Sequence, residues 1–337
     1  MKRWNVAITG FGAIGKSVAA LLDQRRAHYQ ARYGADVRLV GVCGSRAGCF
    51  APSGLVAWSE AQPWASQDGL TGPAFLDTVQ PDVLIESGPT DYLTGGAGER
   101  YIRQALTSGI DVIAISKGAL VRDYRGLRQL AETHGARLKI SGATSAALPT
   151  IDLLQYNLTG CTVERVEGIV TETTNFILSR MMDGERFEDA LASAQQHGIA
   201  EPDPRFDIEG WDSAIKITIL ANAAFDADVR LESVVREGIA AVTPAQIADW
   251  RARGLVPKLV ACIDRMGDHY HASVRLKTYD SQDPFSQVRA GMKAIRVHTD
   301  AMGETLVISK NGPTGTAAAA LKDLEHLLMQ DQRTDAC

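Results

Sequence analysis

Two lysines and a run of carboxylates carry most of the chemistry that can be read from these 337 residues. The densest polar stretch runs from Gly198 to Lys216 and holds Glu201, Asp203, Asp207 and Asp212, with Pro202 and Pro204 stiffening the loop. Asp212 and Lys216 are four residues apart, so a helix places them on one face. Ala214, Ile215, Ile217, Ile219, Leu220, Ala221, Ala223, Ala224 and Phe225 make that helix apolar nearly all round, which predicts burial. A lysine in a buried helix needs a partner or must lose its proton. Such a group can grip a charged small molecule and move a proton; the plainer alternative is an ordinary i,i+4 ion pair. Lys117 follows the apolar run Val112–Ile115 and precedes Gly118. Ligands of open α/β sheets bind outside the carboxyl ends of such strands, although a surface turn would also accept a lysine there. The sequence Thr171-Glu172-Thr173-Thr174-Asn175 closes a strand and starts a helix, either as a cap or as part of a site.

Gly10-Phe11-Gly12-Ala13-Ile14-Gly15 fits the dinucleotide-binding pattern GxGxxG. It follows a short apolar strand and opens a helix, the context in which the pattern carries weight. The first glycine allows the turn, the second lets backbone approach a pyrophosphate, and the third lets helix and strand pack. The helix N-terminus then faces the phosphate charge. An acidic residue at the end of the second strand would select the ribose 2′-hydroxyl of NAD, but Cys43-Gly44-Ser45-Arg46 stands there and Asp36 lies at the wrong end. Arg46 and Ser45 suit a 2′-phosphate, so NADP is expected over NAD.

The elements that must position these residues alternate in the first part of the chain. Strands are expected at 4–9, 37–43, 83–85, 111–115 and 137–140, and helices after Gly15, at 98–108 and at 119–134. Residues 44–75 read as irregular. This pattern predicts a Rossmann-type, doubly wound parallel sheet, an α/β fold, over residues 1–150. From 151 to 310 the style changes. A strand from 163 precedes helices at 175–182, 186–197 and 212–226, and then strands near 257–264, 270–277, 293–298 and 304–309, an α+β substrate-binding unit. Residues 311–337 form a final helix, leaving no length for a regulatory domain. Apolar residues make up 45% and charged residues 22%, which excludes a disordered chain. The net charge of −5 without a basic block argues against nucleic acid, and no apolar run is long enough to cross a membrane. The five scattered cysteines show no CxxC pattern, and the seven histidines lack metal-ligand spacing, so neither a disulfide framework nor a metal site is expected. The chain reads as cytoplasmic.

Taken together, GFGAIG, IESGPTDYLTGGAGERYIRQAL, SKGAL, ETTNFIL, GIAEPDPRFDIEGWDSAIK and NGPTGTAAAAL resemble the homoserine dehydrogenase family over nearly the whole chain, in its short form without an ACT domain. The resemblance implies a nucleotide-binding domain, a substrate-binding and dimerising α+β domain, and a last helix that returns to the nucleotide domain. It implies hydride transfer between NAD(P) and the homoserine/aspartate 4-semialdehyde pair. Lys117 and Lys216 become the catalytic lysines, with Asp212 orienting Lys216. Glu201 binds the substrate ammonium, Asp207 supports the lysines and Thr173 touches substrate. Thr90, Ser116 and Thr316 lie near the nicotinamide, with Gly315 beside them. A homodimer is implied.

Four positions depart from the family pattern: Ser116 replaces an asparagine, Thr171-Glu172 an Asn-Gly pair, Ile199 a tyrosine, and Ser141 a glutamate linked to a sodium site. An inward-pointing Glu172 would repel an α-carboxylate and favour a cationic or hydroxyl group, predicting poor activity on homoserine; Glu172 turned toward Arg180 would leave homoserine accepted. A related small hydroxy or amino acid is therefore an alternative substrate, and a non-catalytic NADP-binding sensor an alternative of another class.

Overall fold

The computed structural model describes residues 1–55, 64–310, 312 and 314–335. The chain divides into two compact units, Met1–Ala147 with Pro313–Cys337, and Leu148–Gly312.

In the first unit β1 (Lys2–Thr9), β2 (Ala35–Cys43), β3 (Ala47–Phe50), β4 (Gln67–Asp68), β5 (Val83–Glu86), β6 (Asp111–Ala114) and β7 (Leu138–Lys139) form one sheet in the order β4-β3-β2-β1-β5-β6-β7. The strands from β2 to β7 in that order run parallel, whereas β3 and β4 add an antiparallel edge. The interior strands are near-continuous apolar runs, as a parallel sheet covered on both faces requires: Val6–Ile8, Val83–Ile85 and Val112–Ala114 are all buried. The chain starts at the centre, moves outward to β2, then returns to the other side of β1. The order thus reverses between β1 and β5, and their carboxyl ends open a crevice there.

Helix Ala13–Gln24 buries Gly15, Val18, Ala19 and Leu22, one stripe at helical spacing. The closing helix, Gly315–Asp335, buries Ala317, Ala320, Leu321, Leu324, Leu327 and Leu328 in the same apolar cluster as Val6, Ile8, Val18 and Leu22. Burying one such leucine stabilises the fold by roughly 1.5–3 kcal/mol, which explains why a helix so distant in sequence joins this unit.

The second unit pairs β8 (Val163–Ile169), β9 (Val235–Arg236), β10 (Val256–Met266), β11 (His269–Tyr279), β12 (Met292–Thr299) and β13 (Gly303–Lys310) in the order β13-β12-β8-β10-β11-β9. β10–β11 and β12–β13 are antiparallel hairpins flanking β8. Helix Trp211–Phe225 packs against the β10–β11 hairpin, with Phe225 stacked on Tyr270 at 4.3 Å between ring centroids.

Several local expectations change. The segment 44–75 is not irregular throughout: it contains β3, β4 and a helix at Pro73–Val79, while residues 56–63 lie outside the described residues. Asn311 and Pro313 of the closing motif, and Cys337, also lie outside them. An unexpected helix, Arg26–Tyr33, buries Tyr29 and Tyr33 at i,i+4. The helix expected from residue 175 starts at Glu172, directly after β8.

Candidate active site

The glycine loop is built against the ends of β2 and β5. Gly10 and Phe11 donate backbone hydrogen bonds to the Cys43 carbonyl at 3.0 and 3.2 Å. Gly10 has φ +78°, and a Cβ there would lie 2.3 Å from the Gly88 nitrogen, so both conformation and space demand glycine. Ser87 Oγ lies 3.0 and 2.9 Å from the carbonyls of Thr9 and Gly10, locking the β5 loop to the glycine turn. Gly12, Ala13 and Ile14 are exposed, with open space over Gly12. No side chain caps the start of helix Ala13–Gln24, which leaves its first-turn amides without a side-chain acceptor. An open, uncapped N-terminus of this kind fits a dinucleotide pyrophosphate.

Ser45 and Arg46 sit in the tight turn joining β2 to β3, closed by Gly44 N to the Ala47 carbonyl at 2.9 Å. Both are exposed next to the strand whose last carbonyl holds the glycine loop. Asp36, at the opposite end of β2, is engaged by Arg38 at 2.7 Å, which together with nearby arginines holds its carboxyl below the usual range.

From the glycine loop the contacts continue to the first lysine. The Lys117 amide donates to Thr90 Oγ1 at 3.2 Å, and a Cβ on Gly118 would meet the Asp91 carbonyl at 2.3 Å. Beneath this turn lies Glu86, a residue that sequence reasoning passed over as the end of a strand. It is 1% exposed. Its Oε1 accepts from Gly88 N at 2.7 Å and its Oε2 accepts a short bond from Ser116 Oγ. Burial pushes this carboxyl above its ordinary range, against the hydrogen bonds from Ser116 and Gly88 that favour the charged form. Glu86 therefore ties the loop that carries Thr90 to the turn that carries Lys117. Thr316 is half-buried in the first turn of the closing helix, and a Cβ on Gly315 would approach Ala147 Cβ to 3.2 Å.

In the second unit Gly210, at φ +79° and too close to the Glu237 carbonyl to carry a Cβ, turns the chain into helix Trp211–Phe225. Lys216 Nζ lies 2.6 Å from Asp212 Oδ2 and 2.9 Å from the Val170 carbonyl at the end of β8. Both side chains are mostly buried, at 12% and 11% exposure, which rules out the solvated ion pair weighed from the sequence. Thr171 Oγ1 lies 3.3 Å from the same Asp212 oxygen and 2.7 Å from Ser213 Oγ. Thr171 and Ser213, which lie inside quoted motifs without a role of their own there, thus join the cluster.

Thr173 Oγ1 lies 2.7 Å from Asp207 Oδ2 and 3.0 Å from the Ile199 carbonyl. The latter contact uses backbone, so it does not depend on the side chain at 199. Glu172 points elsewhere: a Cβ built on Gly291 would lie 3.7 Å from its Oε1. Arg180 is engaged by Glu185, not by Glu172. Glu201 is exposed, and Asp203 is bound by Arg205 at 2.8 and 2.6 Å, which holds its carboxyl down to about 2. One further lysine was invisible in the apolar run of β10. Lys258, 2% exposed, donates to Asn175 Oδ1 at 2.7 Å and to the Val288 carbonyl, and burial pulls it down to about 8. Asn175 thus supports this buried lysine and donates to the Arg289 carbonyl at 2.7 Å, which anchors the start of its helix.

The class these features define is that of the NAD(P)-dependent oxidoreductases acting on a CH–OH group. Known proteins agree: the homoserine dehydrogenase family profile matches residues 149–324, and the profile of the homoserine dehydrogenase NAD-binding domain matches residues 10–141. A homoserine dehydrogenase of Methanocaldococcus jannaschii is 30% identical over 336 residues, covering 96% of this chain and 98% of that protein. An NAD(+)-dependent homoserine dehydrogenase of Pseudomonas canavaninivorans is 28% identical, with 97% of each chain covered. The structure of the Thiobacillus denitrificans homoserine dehydrogenase superposes with a TM-score of 0.85 at 25% identity, covering 99% of this chain and 75% of that one. The chain belongs to the homoserine dehydrogenase family. Membership sets aside the non-catalytic sensor. Among the described residues, no helix is long and apolar enough to cross a membrane.

Proposed function

We propose that this enzyme interconverts homoserine and aspartate 4-semialdehyde, with NADP preferred over NAD, and that Lys216 and Lys117 are its proton-transfer groups. Oxidation removes a hydride from C4 of homoserine and a proton from its hydroxyl; reduction returns both. The bound nicotinamide is the hydride partner. The observation that carries the reading is the buried Lys216, held between Asp212 and the Val170 carbonyl. Asp212 is its counter-ion and fixes the direction of Nζ, so a proton can pass between that nitrogen and a developing alkoxide. Lys117 stands at the carboxyl end of β6, next to the loop that Glu86 and Thr90 hold in place. Asp207 and Thr173 form a substrate-binding pair, and Glu201 is an exposed carboxylate for the substrate ammonium. The same lysines would serve other small hydroxy acids. Homoserine is favoured because Glu172 reaches the Gly291 turn while Thr173 faces Asp207, so the two side chains diverge. The α-carboxylate repulsion expected from an inward-pointing Glu172 is then weakened, because that carboxylate lies toward Gly291.

NADP preference is supported by the exposed Ser45–Arg46 turn and by the distant, engaged Asp36. We place the enzyme in the cytoplasm as a homodimer, a state that sedimentation can test. The direct test of the function is a panel of hydroxy and amino-hydroxy acids, followed by the absorbance of reduced nicotinamide. Homoserine should be the best substrate, with kcat/KM of about 10⁴ M⁻¹s⁻¹ or more. A different acid turned over tenfold better would replace it.

A further inference from the structure

We propose that Tyr101 and Thr71 are positioning residues for the cofactor: together they hold the turn at 44–47 in place, and so set how strongly the enzyme prefers NADP over NAD. The inference rests on the proposed role of Ser45 and Arg46 at the 2′-phosphate. These two exposed residues sit on a turn led by Gly44, a residue whose backbone leaves the turn free to pivot at the end of β2. Three of the turn's carbonyls are held. Gly44 N donates to the Ala47 carbonyl at 2.9 Å, Gly69 N to the Arg46 carbonyl at 2.9 Å, and Thr71 Oγ1 to the Gly44 carbonyl at 3.1 Å. The last two anchors come from outside the turn, in residues 69–71, next to the strand β4 that pairs with β3.

Tyr101, on helix Gly96–Thr107 and 8% exposed, holds that outer segment. Its hydroxyl oxygen accepts from Gly72 N at 2.6 Å and lies 3.0 Å from Thr71 Oγ1 and 3.4 Å from Cys43 Sγ. Each hydroxyl carries one proton, which fixes the direction of the chain. Thr71 uses its proton on the Gly44 carbonyl, so Tyr101 donates to Thr71. The Tyr101 oxygen is then the acceptor for both Gly72 N and the Cys43 thiol. Burial pushes that thiol up to about 11, so it keeps the proton it donates. Cys43 serves the cofactor site at both of its ends: its carbonyl takes the amides of Gly10 and Phe11, and its thiol joins the chain behind the Arg46 turn. A charged contact to a phosphate gains most when the backbone that carries it is already ordered, because ordering on binding offsets the gain. NAD shares the glycine loop but has no 2′-phosphate, so loosening this turn weakens NADP selectively.

The test is the Kd of NADP and of NAD, measured by calorimetric titration, for wild type, Tyr101→Phe, Thr71→Val, Thr71→Ser, Arg46→Ala and the combination of Thr71→Val with Arg46→Ala. Tyr101→Phe and Thr71→Val should each weaken NADP by about three- to tenfold, on the scale of one neutral hydrogen bond, and leave NAD within about twofold. Thr71→Ser keeps the hydroxyl and should keep the wild-type ratio of the two affinities. With Arg46 already replaced by alanine, Thr71→Val should change NADP affinity by less than about twofold, because the two residues act through one contact. A wild-type preference for NADP that survives both Tyr101→Phe and Thr71→Val would overturn the proposal and leave the reading of Arg46 standing. So would equal losses for NADP and NAD, the mark of a general loosening of the unit, or a Thr71→Val effect that is undiminished beside Arg46→Ala. Equal wild-type affinity for the two cofactors would remove the reading of Arg46 and this proposal with it. If Tyr101→Phe does not fold, Thr71→Val and Thr71→Ser decide.

Discussion

The ends of the parallel strands in the first unit and the lysine–aspartate cluster in the second achieve precision by different means. In the first, position is set by backbone. Gly10 has no room for a side chain, the Cys43 carbonyl takes two loop amides, and Ser87 clamps the neighbouring loop. In the second, position is set by charge: Lys216 is aimed by Asp212 and by one carbonyl, inside an otherwise apolar helix. A backbone-built site fails when a small residue grows, whereas a charge-built site fails when one partner is removed and the other is left buried and alone.

Substitutions at three positions probe the first of these modes, the largest effect first. Gly10→Ala places a methyl group against Gly88 backbone at a positive φ. Binding of NADP should weaken by more than about 100-fold, matching a lost cluster of charge-assisted contacts worth roughly 3 kcal/mol. Calorimetric titration reads this directly, and an affinity within threefold of wild type would show that the loop does not need its observed shape. Glu86 tests how far the backbone mode extends. Glu86→Ala leaves Gly88 N and Ser116 Oγ without their shared acceptor, and kcat should fall by about tenfold, on the scale of one lost buried hydrogen bond or more. Glu86→Gln preserves an acceptor and shape and should recover most of kcat. Because burial raises the Glu86 carboxyl, the native state holds a proton that the unfolded chain releases as pH rises through the ordinary carboxyl range. Glu86 therefore makes stability decline with rising pH in that window, and Glu86→Gln should flatten the decline in urea titrations. Equal kcat for the alanine and glutamine variants would mean that Glu86 does not position the turn. Arg46→Ala should weaken NADP by about tenfold and NAD hardly at all, as expected for one charge-assisted contact to a 2′-phosphate. Equal wild-type affinity for the two cofactors would remove the basis for that preference.

A smaller effect belongs to Lys258, where burial lowers the lysine to about 8. Between that value and its ordinary one near 10.5 the unfolded chain binds the extra proton, so this residue makes stability rise with pH across the window. The difference between wild type and Lys258→Met, measured by urea unfolding, should grow in favour of wild type from pH 8 to pH 10. A pH-independent difference would show that the two carbonyl acceptors keep the lysine charged throughout.

Backbone-built and charge-built features were not equally legible in the sequence. The glycine loop was readable because only glycine tolerates its turn and close approach, and the Asp212–Lys216 pair because its spacing matches one helical turn. Glu86 was not, since a buried acid at the end of Val83-Leu84-Ile85 looks like the first residue of a loop. Its partners, Gly88 and Ser116, are set by tertiary structure. Lys258 interrupts an apolar strand, and its acceptors come from distant segments. The β3 hairpin was hidden because Ala47-Gly48-Cys49-Phe50 lacks a clear polar–apolar alternation. Helix Arg26–Tyr33 was hidden because its buried face consists of only two tyrosines in a polar stretch. The direction of Glu172 depends on the Gly291 turn, which no local pattern announces.

The central claim is that Lys216 moves the proton in homoserine oxidation, and steady-state kinetics of Lys216→Ala beside NADP binding to the same protein tests it most directly. The expected result is a fall in kcat of about 10²–10⁴-fold, typical for loss of a general acid–base group, with the cofactor Kd within threefold of wild type. A fall of less than about tenfold with the fold intact would contradict it.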